Sequence, residues 1–288
     1  MPIPEGLPVV DHHCHLSPSG EGVEAARRFR AAGGTHLFLA TQNYTREPVR
    51  DLAGYAEQYA TTERLARRVT VETGVTVFVV IAPYPVDLIG QADALGLPAA
   101  IDLQRAALEL AGRWVEEDRA VALGEVGRPH FPVAGELAEA AEDLFRYALE
   151  VARDAGCPAV VHSEDLDASG YARLAELAAQ VSFPPGKLVK HYARAVLPTA
   201  QRVGVVPSFV ARREVLRACL AEEGPWFLET DFLDDPARPG AVLDLATVPR
   251  RAAAIAEAHP EDVERLWIPF DEAVRSVYGL ELAAGGRT

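Results

Sequence analysis

The segment Asp11-His12-His13-Cys14-His15 places three imidazoles and a carboxylate within five residues, directly after the apolar run Leu7–Val10. On a strand, alternate side chains share a face, so Asp11, His13 and His15 point one way and His12 and Cys14 the other. Two imidazoles two positions apart can grip one cation from one strand. On the same alternation His12 is expected to face outward, and Asp11 to serve as a hydrogen-bond acceptor at the strand end. Four more residues fit such a site. Glu125 follows Ala-Val-Ala-Leu-Gly; a carboxylate there is costly unless a cation or hydrogen bonds neutralise it, and its two oxygens can bridge two metals. His162 and His191 each follow an apolar run, and Asp231 ends Trp-Phe-Leu-Glu-Thr. Asp231 can bind metal and take a proton from water. Glu229, two residues deeper on the same face, is expected to be paired within the fold. Imidazole and carboxylate suit zinc, manganese or another first-row ion.

Positioning these residues requires several strands ending at one place. Eight β-branched or apolar runs recur: Leu7–His15, Thr35–Thr41, Val75–Ala82, Ala120–Gly127, Pro158–Ser163, Lys187–Tyr192, Gly204–Phe209 and Trp226–Phe232. Between them lie helical stretches, predicted at Gly22–Ala32, Glu47–Arg68, Leu103–Glu117, Gly135–Ala155, Ala168–Val181, Val196–Arg202 and Arg212–Glu223. Thr247–His259 and Phe270–Tyr278 close the chain. Alternation of strand and helix predicts a parallel sheet, and near-continuous apolar strands predict burial on both faces. Eight units point to a (β/α)8 TIM barrel, whose chemistry sits at the carboxyl ends of its strands. An open doubly wound sheet is the alternative, but no glycine-rich phosphate loop supports it. Residues 1–288 read as one barrel domain, with 283–288 a flexible tail.

Composition narrows the class. Net charge is -14, which disfavours nonspecific binding to polyanions without excluding a nucleic-acid substrate at a metal cleft. Cys14, Cys157 and Cys219 form no C-x-x-C and no even framework, which fits a reducing compartment. No run is long enough to span a bilayer, and the first ten residues do not resemble a signal peptide. The expected location is the cytoplasm, with no membrane partner.

At these residues the sequence resembles the TatD-type branch of the amidohydrolase superfamily, metal-dependent barrel hydrolases often described as deoxyribonucleases. The resemblance rests on DHHCHL at 11–16, GEVG at 124–127, PAVVHSED at 158–165, KHYA at 190–193 and ETD at 229–231. It implies two divalent ions, zinc foremost, with manganese or magnesium as alternatives. One would be held by His13, His15, Glu125 and Asp231, the other by Glu125, His162 and His191. The chain departs from the family pattern where substrate would lie. Pro129 stands where an acid is usual, Glu164 where an arginine is common, Tyr192-Ala193 for Cys-Phe, and Phe232-Leu233 for Ala-Pro. A divergent subfamily with its own substrate is the implication.

The expected activity is hydrolysis by metal-activated water, with Asp231 and Glu125 catalytic and a phosphate ester, such as a phosphodiester of DNA, as substrate. Arg128, His130 and Arg194 follow strand ends and are candidates for substrate contacts. An amide, lactone or amidine could be cut by the same machinery. In a different class, a non-catalytic metal-binding scaffold would show a closed coordination shell. Lys190 alternates with His191 and should point away from the site, so it is not expected to bridge metals.

Overall fold

The computed structural model describes residues 3–45, 47–194 and 196–282. Its strands are β1 Val10–His15, β2 His36–Ala40, β3 Thr76–Ile81, β4 Ala122–Gly127, β5 Ala159–His162, β6 Leu188–Ala193, β7 Val205–Val210, β8 Phe227–Glu229 and β9 Phe232–Leu233. Its α-helices are α1 Val23–Ala31, α2 Leu52–Thr73, α3 Asp87–Leu95, α4 Leu97–Glu116, α5 Glu136–Asp154, α6 Ala168–Gln180, α7 Arg213–Cys219, α8 Thr247–Ala258 and α9 Ala273–Tyr278. All strand pairs are parallel, in the order β8-β7-β6-β5-β4-β3-β2-β1-β9. β8 and β9 are halves of one eighth strand, interrupted at Thr230 and Asp231. The first half pairs with β7 and the second with β1, so the sheet closes into a (β/α)8 barrel. Backbone N–H groups of Asp231 and Asp234 donate to the carbonyls of His13 (3.0 Å) and His15 (3.1 Å) across the closure.

Two apolar layers follow from strand alternation. Val10, Phe38, Val80, Ala122, Val160, Val189 and Val206 fill the barrel interior, and β-branched residues predominate among them. Their neighbours Leu37, Leu39, Ile81, Leu123, Val161 and Leu188 face outward and pack with Phe29, Tyr55, Leu65, Trp114 and Phe145 of the helices. Among the described residues, no helix is long and apolar enough to cross a membrane.

The eight predicted strands are present, and the helices differ in detail. α2 begins at Leu52 rather than Glu47, because Asp51 caps it by accepting from the Gly54 N–H at 2.8 Å. α3 was not predicted. Its sequence DLIGQADAL buries only Leu88 and Gln91, which leaves little periodic signal. Gly96, at φ +85°, separates it from α4, which starts six residues before the predicted Leu103 and carries Pro98 in its first turn. The segment predicted at Val196–Arg202 contains only a 3-10 turn, Thr199–Gln201. The expected tail, 283–288, lies outside the described residues.

A larger correction concerns β1. Its register with β2 shifts between Asp11 and Cys14, so a bulge breaks the alternation. His12 therefore does not face the helices. Its ring stacks on Phe227 at 3.9 Å, and its nitrogens meet Ser208 Oγ (3.1 Å) and Tyr278 Oη (2.7 Å). It lies in the barrel interior beneath the candidate site, and burial pushes its pKa down to about 3, so it stays neutral. Asp11 joins β1 to the broken eighth strand. It accepts from Thr230 N (3.0 Å), Thr230 Oγ1 (2.6 Å) and His13 N (3.2 Å) while fully buried.

Replacing Asp11 with alanine strands two buried donors of Thr230 at the barrel seam. A loss of about 2–4 kcal/mol in urea unfolding is expected. A loss below about 0.5 kcal/mol, the range of ordinary surface substitutions, would show that the seam does not depend on this carboxylate.

Candidate metal centre

Backbone irregularities aim the polar side chains. Besides the β1 bulge, the register shifts between Gly124 and Val126 in β4 and between Lys190 and Ala193 in β6. Asp231, at φ +49°, breaks the eighth strand. Aspartate tolerates this left-handed conformation better than bulkier residues. Both glycines of GEVG are sterically required. A Cβ at Gly124 would lie 2.7 Å from Val80 and Val160 side-chain atoms, and one at Gly127 would lie 2.2 Å from the His162 carbonyl oxygen.

The six predicted donors converge at the carboxyl mouth of the barrel, in two groups of different spacing. In the first, His13 Nε2 and His15 Nε2 are 3.2 Å apart, and Asp231 Oδ1 lies 3.8 and 3.7 Å from them. Ligands about 2.1 Å from a tetrahedral zinc ion are roughly 3.4 Å apart. This trio is already spaced for a cation. The second group is tighter. Glu125 Oε1 is 2.7 Å from His191 Nε2 and 2.9 Å from His162 Nδ1, and the two imidazole nitrogens are 3.1 Å apart. Those are hydrogen-bond lengths, so a cation there requires the ligands to spread by several tenths of an ångström. Glu125 connects the groups: Oε1 lies 3.8 Å from His13 Nε2 and Oε2 3.6 Å from His15 Nε2.

The electrostatics suit a cation. Burial holds the pKa values of His13, His15 and His162 below the usual imidazole value, leaving lone pairs available. His191 is the exception. Burial pulls its pKa down, but Glu125 and Glu229 outweigh burial and lift it to about 10. A proton on His191 is therefore favoured beside Glu125. Burial also raises the proton affinity of Asp231, whose side chain is the most exposed of the six at 18%. The donors open into a pocket of about 300 Å³.

The family model for TatD-related DNase matches residues 10–279. The chain belongs to this family. It is 31% identical to an uncharacterized protein of Methanocaldococcus jannaschii, over 98% of this chain and 99% of that one. Among solved structures, a TatD homologue from Escherichia coli aligns with a TM-score of 0.61 at 18% identity, covering 94% of this chain and 98% of that one. A TatD-like protein from Archaeoglobus fulgidus gives 0.63 at 14%, covering 93% and 99%. A dihydroorotase from Saccharomyces cerevisiae gives 0.62 at 10%, covering 99% and 88%. At these identities the structural likenesses establish the fold alone. Membership in the TatD-related family supports a metal-dependent hydrolase.

Around this TatD-type cluster, the three predicted substrate-contact residues are placed differently. His130 Nδ1 lies 2.9 Å from His162 Nε2, at the cluster's edge. Arg128 turns away and grips Glu164 with Nε (3.0 Å) and Nη2 (2.7 Å), and its Nη1 lies 3.3 Å from Glu142. Arg194 is exposed, with Asp165 at 3.5 Å. Neither arginine lines the metal pocket. Lys190 points away from the donors, giving hydrogen bonds to the carbonyls of His191 (2.6 Å) and Ser163 (3.3 Å).

Sequence reasoning missed most of the pocket wall: Thr41, Gln42 and Asn43 after β2, Tyr84 and Asp87 after β3, and Arg238 after β9. Their one sequence signal is position just beyond strand ends. Glu229 is fully buried, as expected for a paired residue. Its Oε1 accepts from Tyr192 N at 2.6 Å and lies 3.5 Å from His191 Nδ1. Glu229→Gln should therefore loosen His191 and weaken cation binding by about 10–100-fold in chelator competition. Unchanged affinity would mean that Glu229 does not orient His191.

Proposed function

We propose that this chain is a hydrolase of phosphate esters that works with two divalent ions, zinc foremost and manganese or magnesium as alternatives. His13, His15, Asp231 and Glu125 would hold one ion, and Glu125, His162 and His191 the other. The observation that carries this reading is the convergence of six donors, five of which line a pocket with polar walls. Thr41, Gln42, Asn43, Tyr84, Asp87 and Arg238 line it, against Leu233 and Val242 as the apolar residues. A non-catalytic scaffold would need no open pocket beside its ligands.

Bound there, divalent ions supply the Lewis acidity that makes water nucleophilic at neutral pH. The protein's own groups do the rest. Asp231, the most accessible ligand, accepts a proton from water as its oxygen bonds to phosphorus. The bond from phosphorus to the ester oxygen breaks, and the alcohol leaves with a proton from solvent. Asp11 holds His13 through its backbone N–H, and Glu229 stands behind His191.

A second reading, hydrolysis of an amide, lactone or amidine, has one observation in its favour. Only one arginine lines the pocket among the described residues, and phosphate recognition commonly uses several. A panel of nitrophenyl phosphates, lactones, amides and single-stranded DNA separates the two readings.

Asp231→Asn should lower kcat by about 10²–10⁴-fold while metal content, by elemental analysis, falls little. Near wild-type turnover would rule out Asp231 as the proton acceptor. Chelation should abolish turnover, and zinc or manganese should restore it. Full activity in a metal-free preparation would overturn the metal-dependent reading.

A further inference from the structure

The pocket over the donor cluster contains a cation that the other features of the site leave unused. Arg238 lines it from the loop after β9 and, among the described residues, is its sole arginine or lysine. Asp235 shapes this turn: its carbonyl accepts from Arg238 N at 2.9 Å, and its Oδ1 accepts from Ala237 N at 2.9 Å. Its Oδ2 accepts from Arg238 Nε at 2.8 Å. Asp235 therefore holds the guanidinium by one edge. Among the described residues, Nη1 and Nη2 donate no hydrogen bond, which leaves the fork that matches two oxygens of a phosphate or carboxylate.

The surroundings bear on what that anion belongs to. A cavity of about 780 Å³ lies beyond His130, where a nucleic-acid strand leaving the pocket could run. It contains Arg128, Arg146 and Arg173, but also Glu139, Glu142, Asp143 and Glu164. Arg128 is committed to Glu164 and Glu142, and Arg146 to Asp143 at 2.6 Å. Carboxylates outnumber guanidiniums there, whereas strand binding draws its affinity from a series of phosphate contacts. The net charge of -14 adds to the repulsion.

We infer that Arg238 is the anion-binding residue of the pocket, and that the substrate is a small phosphomonoester held between Arg238 and the donor cluster rather than a polynucleotide strand. This rests on the phosphate-ester reading above. The bond change is the same: one water is consumed, and an alcohol and inorganic phosphate are released.

The test compares metal-loaded wild type, Arg238→Ala, Arg238→Lys and Arg173→Ala. Inorganic phosphate binding is measured by calorimetry, and kinetics with 4-nitrophenyl phosphate, a mononucleotide and a single-stranded oligonucleotide. Arg238→Ala should raise both the phosphate Kd and the KM for 4-nitrophenyl phosphate by about 10–100-fold, with metal content unchanged. Lysine should restore part of this, and Arg173→Ala should match wild type. An unchanged phosphate Kd in Arg238→Ala would overturn the assignment of Arg238. A higher kcat/KM for the oligonucleotide than for the mononucleotide, reduced by Arg173→Ala, would overturn the substrate class. If no phosphate ester is cut but phosphate binding still depends on Arg238, the anion site stands and the hydrolysis reading fails.

Discussion

A buried carboxylate that no permanent cation meets is the constraint from which the rest of this site follows. Glu125 sits in the barrel throat, and its ion-pair partners among the described residues are four imidazoles, His13, His15, His162 and His191. Isolated in a low-dielectric interior, such a charge would be prohibitively costly. It must be met by a proton on one of those rings or by a metal. Glu125 and Glu229 favour a proton on His191. Proton and cation therefore compete for one place, and cation binding must displace the proton. The group containing Asp231 is the more widely spaced, whereas His162 and His191 lie at hydrogen-bond distance from the carboxylate.

Holding the donors in a narrow throat requires a backbone that ideal strands cannot supply. In a regular strand half the side chains turn outward, yet His12, His13 and His15 all project into the interior. The bulge in β1 makes this possible, and comparable irregularities occur at Glu125, His191 and Asp231. Asp11 secures the seam where the eighth strand is broken, so the element that closes the barrel is also the one that presents Asp231.

This division explains what was legible in the sequence. Strand identity was legible because burial on both faces writes itself as runs such as VTVFVVIA and PAVVHS. The donor set was legible because a charged or imidazole side chain ending such a run has few other uses. The bulges were not, since a register shift depends on pairing with residues far along the chain. His13 and His15 share a face with Cys14 on the other, as alternation predicts, whereas the bulge turns His12 inward against the same rule. α3 was invisible because its burial is shallow. Arg238 and Asp87 were invisible because loop residues reach the site through turn geometry rather than periodicity.

Proximity in sequence was also a poor guide to which arginines meet substrate. Arg128 follows Glu125 closely and Arg194 follows His191, yet carboxylates at the end of β5 engage both. Glu164 and Asp165 stand side by side, and each takes one guanidinium. The departures from the TatD pattern at these two strand ends thus make physical sense together. Where the family usually carries an acid after its strand-four motif this chain carries Pro129, and where it commonly carries an arginine after His-Ser this chain carries Glu164, which the neighbouring Arg128 engages. The resulting two-pronged ion pair ties the loop after β4 to the end of β5. It consumes the cation that adjacency to Glu125 appeared to offer for phosphate binding. What distinguishes this chain at its strand-four and strand-five motifs is therefore scaffolding of the pocket rim, which leaves Arg238, held by Asp235 through Nε alone, as the proposed anion contact.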